Sequence, residues 1–588
     1  MAETILTIFR RNALRLGSHP CLHFKENNTW KQLSWVDAEE RVRRYTLGLS
    51  ALGLKPGGKA AILSETRMEW TLLDLSVLAC QGICVPLYPT LSADQMAYIL
   101  KDSQCSLLIV ENLARWEKLA PVLKDWKYPV VLIEGDKDGF YNLRKLIDIG
   151  KSLPVNQYDE NLKQIQLNSI ATIVYTSGTT GPPKGGMLSH GNLMAEVLGL
   201  EDVFRFEGER VGLMSLPLAH VIARAMQFYQ LAQGCQAAYA ESLELLPANL
   251  REVRPHFMAA VPRLLEKSYE KVQARVRQGG RMTQKIFDWS AKVGAEWSEL
   301  KQKKLSIPFW LILRWEVADF LVFRKIRKGF GGRLLCIISG GAPLAKNLAQ
   351  FFHGVGILVV EGYGLTETFA AITLNRLDDY RFGTVGKPLE GARIKINEEG
   401  EICVKGETVF AGYWGKKEET QSSFDKDQWF LTGDIGEFTK DGFLRITDRK
   451  KDIIVTSGGK KVAPQNIENM LQQGPYIQQV IVHGEGKKYL SALITLNWDS
   501  IRKYAKEHAI SFFSNKDLAE NEQIQALVHQ EIDTCNQHLS SFETIKKFAI
   551  LDNNFSVETG ELTPTMKVKR KMVADKYKTV LDQLYLES

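Results

Sequence analysis

Short apolar runs bounded by turn residues recur through the first three quarters of this chain, and longer stretches of helical pattern separate them. They include "KAAIL" from Lys59, "SLLIV" from Ser106, "PVVLI" from Pro129, "ATIVYT" from Ala171, "LLCII" from Leu334 and "ILVVE" from Ile357. Alternation of this kind predicts an α/β fold with largely parallel sheets. In such folds ligand loops gather at strand ends. At 588 residues the chain is far longer than one typical domain, so several subdomains with large cores are expected.

Glycine-bounded, β-rich sequence follows in "ARIKINEEGEICVKG" from Ala392 and "GFLRITD" from Gly442. After "DRKKD" the character changes: "KVAPQNIENMLQQ" reads as a helix, and "QQVIVHGEGKKYLSALITLN" as two strands about a Gly/Lys turn. A large N-terminal domain over 1–447, carrying a β-rich subdomain, and a small α+β C-terminal domain over 448–588 are therefore expected. There is no internal repeat and no low-complexity tract.

Composition excludes some partners. The formal net charge of +7 is small for this length and leaves no nucleic-acid footprint, although a mildly basic surface suits anionic ligands or lipid headgroups. Eight cysteines lie scattered without a CxxC pair or a metal-type spacing, which reads as reduced cytosolic thiols. The first residues carry Glu3 and two arginines inside their apolar run, so no signal-peptide core is seen and a cytoplasmic location is expected. The segment "IPFWLILRWEVADFLVF", from Ile307, is too short to span a membrane, and Arg314, Glu316 and Asp319 give it the spacing of a helix with wet and dry sides. Flanking lysines and arginines leave two readings open: a helix packed on its own protein, or one lying in a membrane interface at the inner face.

Three dense stretches carry chemistry. In "VYTSGTTGPPKGGMLSHGNL", from Val174, glycines expose backbone N–H groups beside hydroxyls and Lys184, a cradle for phosphate oxygens. It is no ordinary P-loop, because Gly185 and Gly186 follow the lysine where a Walker motif places its hydroxyl. "VVEGYGLTET", from Val359, joins an apolar strand to an aromatic able to stack on a purine and to Glu367, a hard oxygen ligand suited to Mg²⁺ on a polyphosphate. "WFLTGDIGEF" holds Asp434 in a turn, where a carboxylate can accept from both hydroxyls of a ribose.

These motifs, together with "DRKKDIIVTSGGKKVAPQNIE" and the terminal "GELTPTMKVKRK", resemble in order and spacing the adenylate-forming superfamily of acyl-CoA synthetases, peptide-synthetase adenylation domains and luciferases. The resemblance spans nearly the whole chain. Within the superfamily the chain looks most like bacterial long-chain fatty acyl-CoA synthetases, through "LPLAHVIAR", "VPRLLEK" and the long apolar insertion that ends in "SGGAPL". The insertion gives a long alkyl chain something to lie against, at about 0.8 kcal/mol for each buried methylene.

The resemblance implies a two-step reaction: a fatty acid carboxylate attacks the α-phosphate of Mg·ATP, and the thiol of CoA then takes the acyl group from the adenylate. It implies that Lys567 bridges carboxylate and α-phosphate, and that Thr176, Ser177, Gly178, Thr179, Thr180, Gly181 and Lys184 close on the β- and γ-phosphates. By the same resemblance Thr176 and Glu367 are expected in the magnesium shell, Tyr363 is expected to stack on adenine beside Gly364 and Thr366, Gly341 and Ala342 to wall the base, and Asp434 and Arg449 to hold the ribose. His220 and Val221 are expected at the acyl pocket. Lys451 matches the hinge of a mobile C-terminal domain, expected to present Gly458, Gly459 and Lys460 for the thioester step.

Gly186 departs from relatives that carry a β-branched residue there, and is expected to loosen its strand. Three other readings stay open: transfer to acyl carrier protein, a luciferase-type oxygenase, and a non-catalytic acyl-nucleotide binder.

Overall fold

A computed structural model describes residues 3–176, 182–206, 209–472, 474–563 and 568–586. Its larger part is built on two sheets with helices between and outside them. In the nine-stranded sheet, Gln236–Tyr239, Val211–Met214, Phe257–Ala260, Cys336–Ser339 and Leu358–Tyr363 run parallel in that order. The eight-stranded sheet has Ile83–Leu87, Lys59–Leu63, Leu107–Val110 and Val130–Leu132 as its parallel part, and the hairpin Ile170–Thr176/Lys184–Ser189 flanks it. The α/β expectation and the strands read from apolar runs are thus found.

Strand periodicity sorts the core. Ile62 and Ile338 face a central cluster between the sheets, whereas their neighbours Leu63 and Ile337 face two outer clusters. Both faces of each sheet are covered, and this is why these strands read as unbroken apolar runs.

The helix Met68–Ala79 lies wholly within the central layer and is buried all round, including Asp74. Asp74 is satisfied there by Arg224 of Val221–Gln233, through Nη2 at 2.7 Å and Nε at 3.2 Å. Arg224 also donates to the Thr172 hydroxyl at 2.7 Å, so one fully buried guanidinium ties two helices to the hairpin sheet. Removing one member of such a pair costs about 3–5 kcal/mol.

A four-stranded antiparallel sheet, Ala392–Ile396, Glu401–Gly406, Phe430–Phe438 and Leu444–Arg449, follows as the β-rich part. Beyond it, Ile477–His483, Leu490–Leu496 and Ile545–Leu551 form a separate three-stranded sheet with its own core of Val480, Ile494, Ile501 and Val528. All eight cysteines are buried as thiols. Among the described residues no helix is long and apolar enough to cross a membrane.

The segment from Ile307 departs from the expected wet and dry sides. Phe309–Ala318 buries Leu311 and Ala318 against its own protein, yet its outer face carries Phe309, Trp310, Ile312, Leu313 and Val317. Large apolar side chains occupy most of that outer face, with Glu316 exposed among them.

Candidate active site

The hairpin sets the first half of the site. Thr176 pairs with Lys184 and Tyr175 with Gly185, which brings the two ends of the hydroxyl-rich stretch together. Ser177, Gly178, Thr179, Thr180 and Gly181 lie outside the described residues. A Cβ on Gly185 would come within 2.6 Å of Ile173, so only glycine lets the strands close there. Gly186 pairs with Val174 on one side and with Tyr413 on the other, which ties the strand down; the expected loosening is not seen.

That second pairing also delivers a residue the sequence reading missed. Tyr413, on the edge strand Gly412–Tyr413, lies beneath Lys184, whose Nζ is 5.5 Å from the ring centroid. The Tyr413 hydroxyl donates to Glu367 Oε1 at 2.8 Å. Burial, and then the neighbouring Glu367, push the phenol well above its usual range, so it stays a donor. Cation, ring and carboxylate form one line. In sequence Tyr413 is one aromatic in "AGYWG", far from every motif, and only sheet register reveals its role.

Glu367 sits on the single turn Thr366–Thr368 after the strand Leu358–Tyr363. A Cβ on Gly364 would fall 1.4 Å from the Ala370 carbonyl, so glycine is obligatory where this loop folds back. Thr176, Lys184 and Glu367 line one cleft of about 2580 Å³.

The same cleft takes in the second half. Gly341 follows the strand Cys336–Ser339 with φ +82°, a left-handed conformation that suits glycine, and lines the cleft with Ala342. The Tyr363 hydroxyl donates to Asp434 Oδ2 at 2.7 Å, and Arg449 Nε lies 3.2 Å from Asp434 Oδ1. Asp434 and Arg449 are register partners on adjacent strands, so the pair is set by pairing alone. Glu361, two residues before Tyr363, is also buried here: it accepts the Leu344 N–H at 3.0 Å, and burial pushes its carboxyl up to about 8.

His220 caps Val221–Gln233, its Nδ1 accepting the Ile222 N–H at 3.1 Å, and it lines the cleft with Val221. Lys567 lies outside the described residues; Thr563 and Val568 on either side line the cleft. Gly458, Gly459 and Lys460 form an exposed turn between Ile454–Val455 and Lys461–Val462, and they do not line the cleft.

Lys451 stands between two anchored neighbours. Lys450 Nζ binds Glu399 at 2.5 Å, in the turn between two strands of the four-stranded sheet, and Glu401 at 2.9 Å in the sheet itself, while Asp452 lies 3.7 Å from Arg570, which also pairs with Glu468. Lys451 itself is exposed and makes no side-chain hydrogen bond or ion pair among the described residues.

No group of three or more acidic, histidine or cysteine side chains that could hold a metal occurs among the described residues. The donors present still fit magnesium, since Tyr413 occupies one Glu367 oxygen and Oε2 accepts from no donor among the described residues. A magnesium ion with one or two protein oxygens and the rest from phosphate and water is the usual pattern at nucleotide sites.

Lys184 with Tyr413 and Glu367, the Tyr363–Asp434–Arg449 set, Gly341 and Ala342, and His220 with Val221 thus all line one cleft of an α/β fold. The family described as AMP-binding enzyme matches residues 9–414, and its C-terminal domain matches residues 451–588. The chain belongs to the AMP-binding enzyme family. It is 36% identical over 569 residues to the long-chain-fatty-acid–CoA ligase FadD15 of Mycobacterium bovis, covering 95% of this chain and 93% of that one. It is 30% identical over 623 residues to the long-chain-fatty-acid–CoA ligase ACSBG2 of Xenopus laevis, covering 100% and 84%. Among solved structures, the adenylation domain of the Mycobacterium chelonae carboxylate reductase superposes with a TM-score of 0.79 at 21% identity, over 100% of this chain and 92% of that one. ATP-bound MatB from Rhodopseudomonas palustris superposes with a TM-score of 0.71 at 22% identity, over 98% and 100%.

Proposed function

We propose that this chain is a long-chain-fatty-acid–CoA ligase. One observation carries the reading: the lysine, tyrosine and carboxylate line at the hairpin and the Tyr363–Asp434–Arg449 set open into one cleft, which continues past His220 between apolar helix faces. The names of the two ligase relatives support the substrate class and the acceptor.

In the first step a carboxylate oxygen bonds to the α-phosphorus of ATP, and the bond to the bridging oxygen breaks to release pyrophosphate. A carboxylate approaching a polyanion is repelled, so the chain's contribution is charge neutralisation and positioning. Lys184 and the hairpin connection hold the β- and γ-phosphates, Asp434 and Arg449 fix the ribose, and Gly341 and Ala342 wall the base against Tyr363. Lys567 bridges carboxylate and α-phosphate. Thr176 and Glu367 would hold magnesium, which supplies charge neutralisation on the phosphates when bound.

In the second step the CoA sulfur bonds to the acyl carbon and AMP leaves. The chain acts as two units, 1–447 and 448–588, that swing about Lys451 and bring Gly458, Gly459 and Lys460 to the cleft. The enzyme works in the cytoplasm at the inner face of a membrane, held there by the outer face of Phe309–Ala318. Exposed Arg324, Lys325 and Lys328 beyond that helix complement anionic lipid, and Trp310 suits the interface.

The test is AMP release with Mg·ATP and acids from butyric to eicosanoic, offered CoA or holo acyl carrier protein in parallel. Turnover of the longer acids with CoA supports the reading. Turnover with the carrier protein alone overturns the acceptor and leaves the adenylation chemistry standing.

A further inference from the structure

Past His220 and Val221 the cleft is walled by Leu200 of the helix His190–Phe204, by Ala225 and Met226 of Val221–Gln233, and by Leu374. Such walls suit an alkyl chain. One side chain among them does not: Glu196, a turn before Leu200, lines the same cleft and is 1% exposed.

Its two oxygens are treated differently. Oε1 accepts the Ala371 N–H at 3.0 Å, which holds the loop that carries Glu367. Oε2 has no hydrogen-bond partner among the described residues. Buried polar atoms are nearly always paired, and leaving one unpaired costs free energy. Holding the loop explains Oε1 alone. Burial also pushes this carboxyl well above the ordinary carboxylate range, and no cation offsets it, which favours the protonated form with an O–H to donate.

We propose that Glu196 reads an oxygen on the acyl chain, so that the enzyme's preferred substrates are long-chain acids bearing an in-chain hydroxyl or keto group. The oxygen of that group accepts from the Glu196 O–H; a hydroxyl can donate back. An unsubstituted chain leaves the bond unmade at the same place. The inference rests on the long-chain acid reading above.

The experiment measures kcat/KM for hexadecanoic acid and for hydroxyhexadecanoic acids with the hydroxyl moved stepwise along the chain. It uses wild-type enzyme, Glu196→Gln and Glu196→Met. For wild type one hydroxyl position is expected to exceed the parent acid by about tenfold, the worth of one good hydrogen bond. Glu196→Gln keeps a donor and an acceptor and should retain the preference. Glu196→Met should bring the ratio to one or below. A residue that only props the loop lowers turnover of both acids alike and leaves the ratio unmoved, which overturns the proposal. A flat wild-type series overturns it without any variant, so a Glu196→Met protein that does not fold leaves the test intact. Failure to turn over hexadecanoic acid and every hydroxylated acid sinks the ligase reading itself, and this inference with it.

Discussion

The Tyr363 hydroxyl donates to Asp434 Oδ2 at 2.7 Å, joining the end of a strand in the nine-stranded sheet to the middle of a strand in the four-stranded one. The bond is buried, with Asp434 at 4% exposure, so the aspartate's direction depends on the tyrosine as much as on Arg449. Tyr363→Phe keeps the ring but frees the carboxylate that, on the proposed reading, holds the ribose. A hydrogen bond to a charged group contributes about 1.5–3 kcal/mol, so KM for ATP should rise about tenfold or more with a smaller change in kcat. Steady-state kinetics checks it; an unchanged KM would show that Asp434 does not hold the nucleotide.

Tyr413 and Glu367 allow a sharper separation. If Glu367 meets the phosphates through magnesium, Glu367→Gln should lower acyl-adenylate formation on the order of 100- to 1,000-fold, as for other preorganised charge stabilisers. Tyr413→Phe removes only the 2.8 Å bond that orients it and should cost about tenfold. Raising magnesium should partly rescue the tyrosine variant and not the glutamine one. Equal losses without rescue would place Tyr413 at the phosphates too.

The sequence made the strands legible because both faces of each sheet are buried, so each strand is an apolar run. It also flagged Tyr363, Glu367 and Asp434, since small-residue loops at strand ends are dense and local. Tyr413 and Glu196 stayed hidden for a shared reason. Tyr413 reaches Lys184 through a two-residue edge strand, and Glu196 is one acid in a helix whose hydrogen-bond partner, the Ala371 N–H, lies 175 positions away. On Phe309–Ala318 the spacing of the charged residues suggests a solvated side, whereas large apolar side chains occupy most of the outer face, a property set by packing and not by spacing.

The hinge reading predicts divided losses. Lys567→Ala should abolish most acyl-adenylate formation while leaving conversion of supplied acyl-adenylate to thioester. Lys451→Pro fixes one backbone angle between the anchored Lys450 and Asp452 and should harm thioester formation more than adenylation. Single-turnover assays of each half decide it, and a uniform loss in both variants would remove the division of labour.

Glu361 gives a pH signature. Burial raises its carboxyl from 4.5 to about 8 in the fold, so between those values the folded protein holds a proton that the unfolded chain has released. Stability therefore falls as pH rises through that window, by up to about 1.4 kcal/mol per pH unit from this group. Glu361→Gln carries no titrating group, so its stability relative to wild type should climb from pH 5 to about 8 and then level off. Denaturant unfolding at several pH values measures the difference; a constant offset would mean that Glu361 is ionised in the fold.

The outer face of Phe309–Ala318 makes the last case. Phe309 is 73% exposed and Phe320, just beyond the helix, 72%, while the opposite side is already packed on the protein through Leu311 and Ala318. Solvent gains nothing from such a face, and a lipid interface does: burying each large side chain contributes about 1.5–3 kcal/mol. Phe309→Ser with Phe320→Ser should therefore lower sedimentation with anionic vesicles by about 100-fold or more. Neutralising Arg324, Lys325 and Lys328 should weaken it by about fivefold per charge, since each basic residue near an anionic surface adds about 1 kcal/mol. Glu316 is exposed on the same face and opposes binding, so Glu316→Gln should strengthen it. The sign of that change discriminates best. An interface-lying helix gains when its one exposed acid is removed, whereas a face that never meets lipid shows no response to any of the three changes.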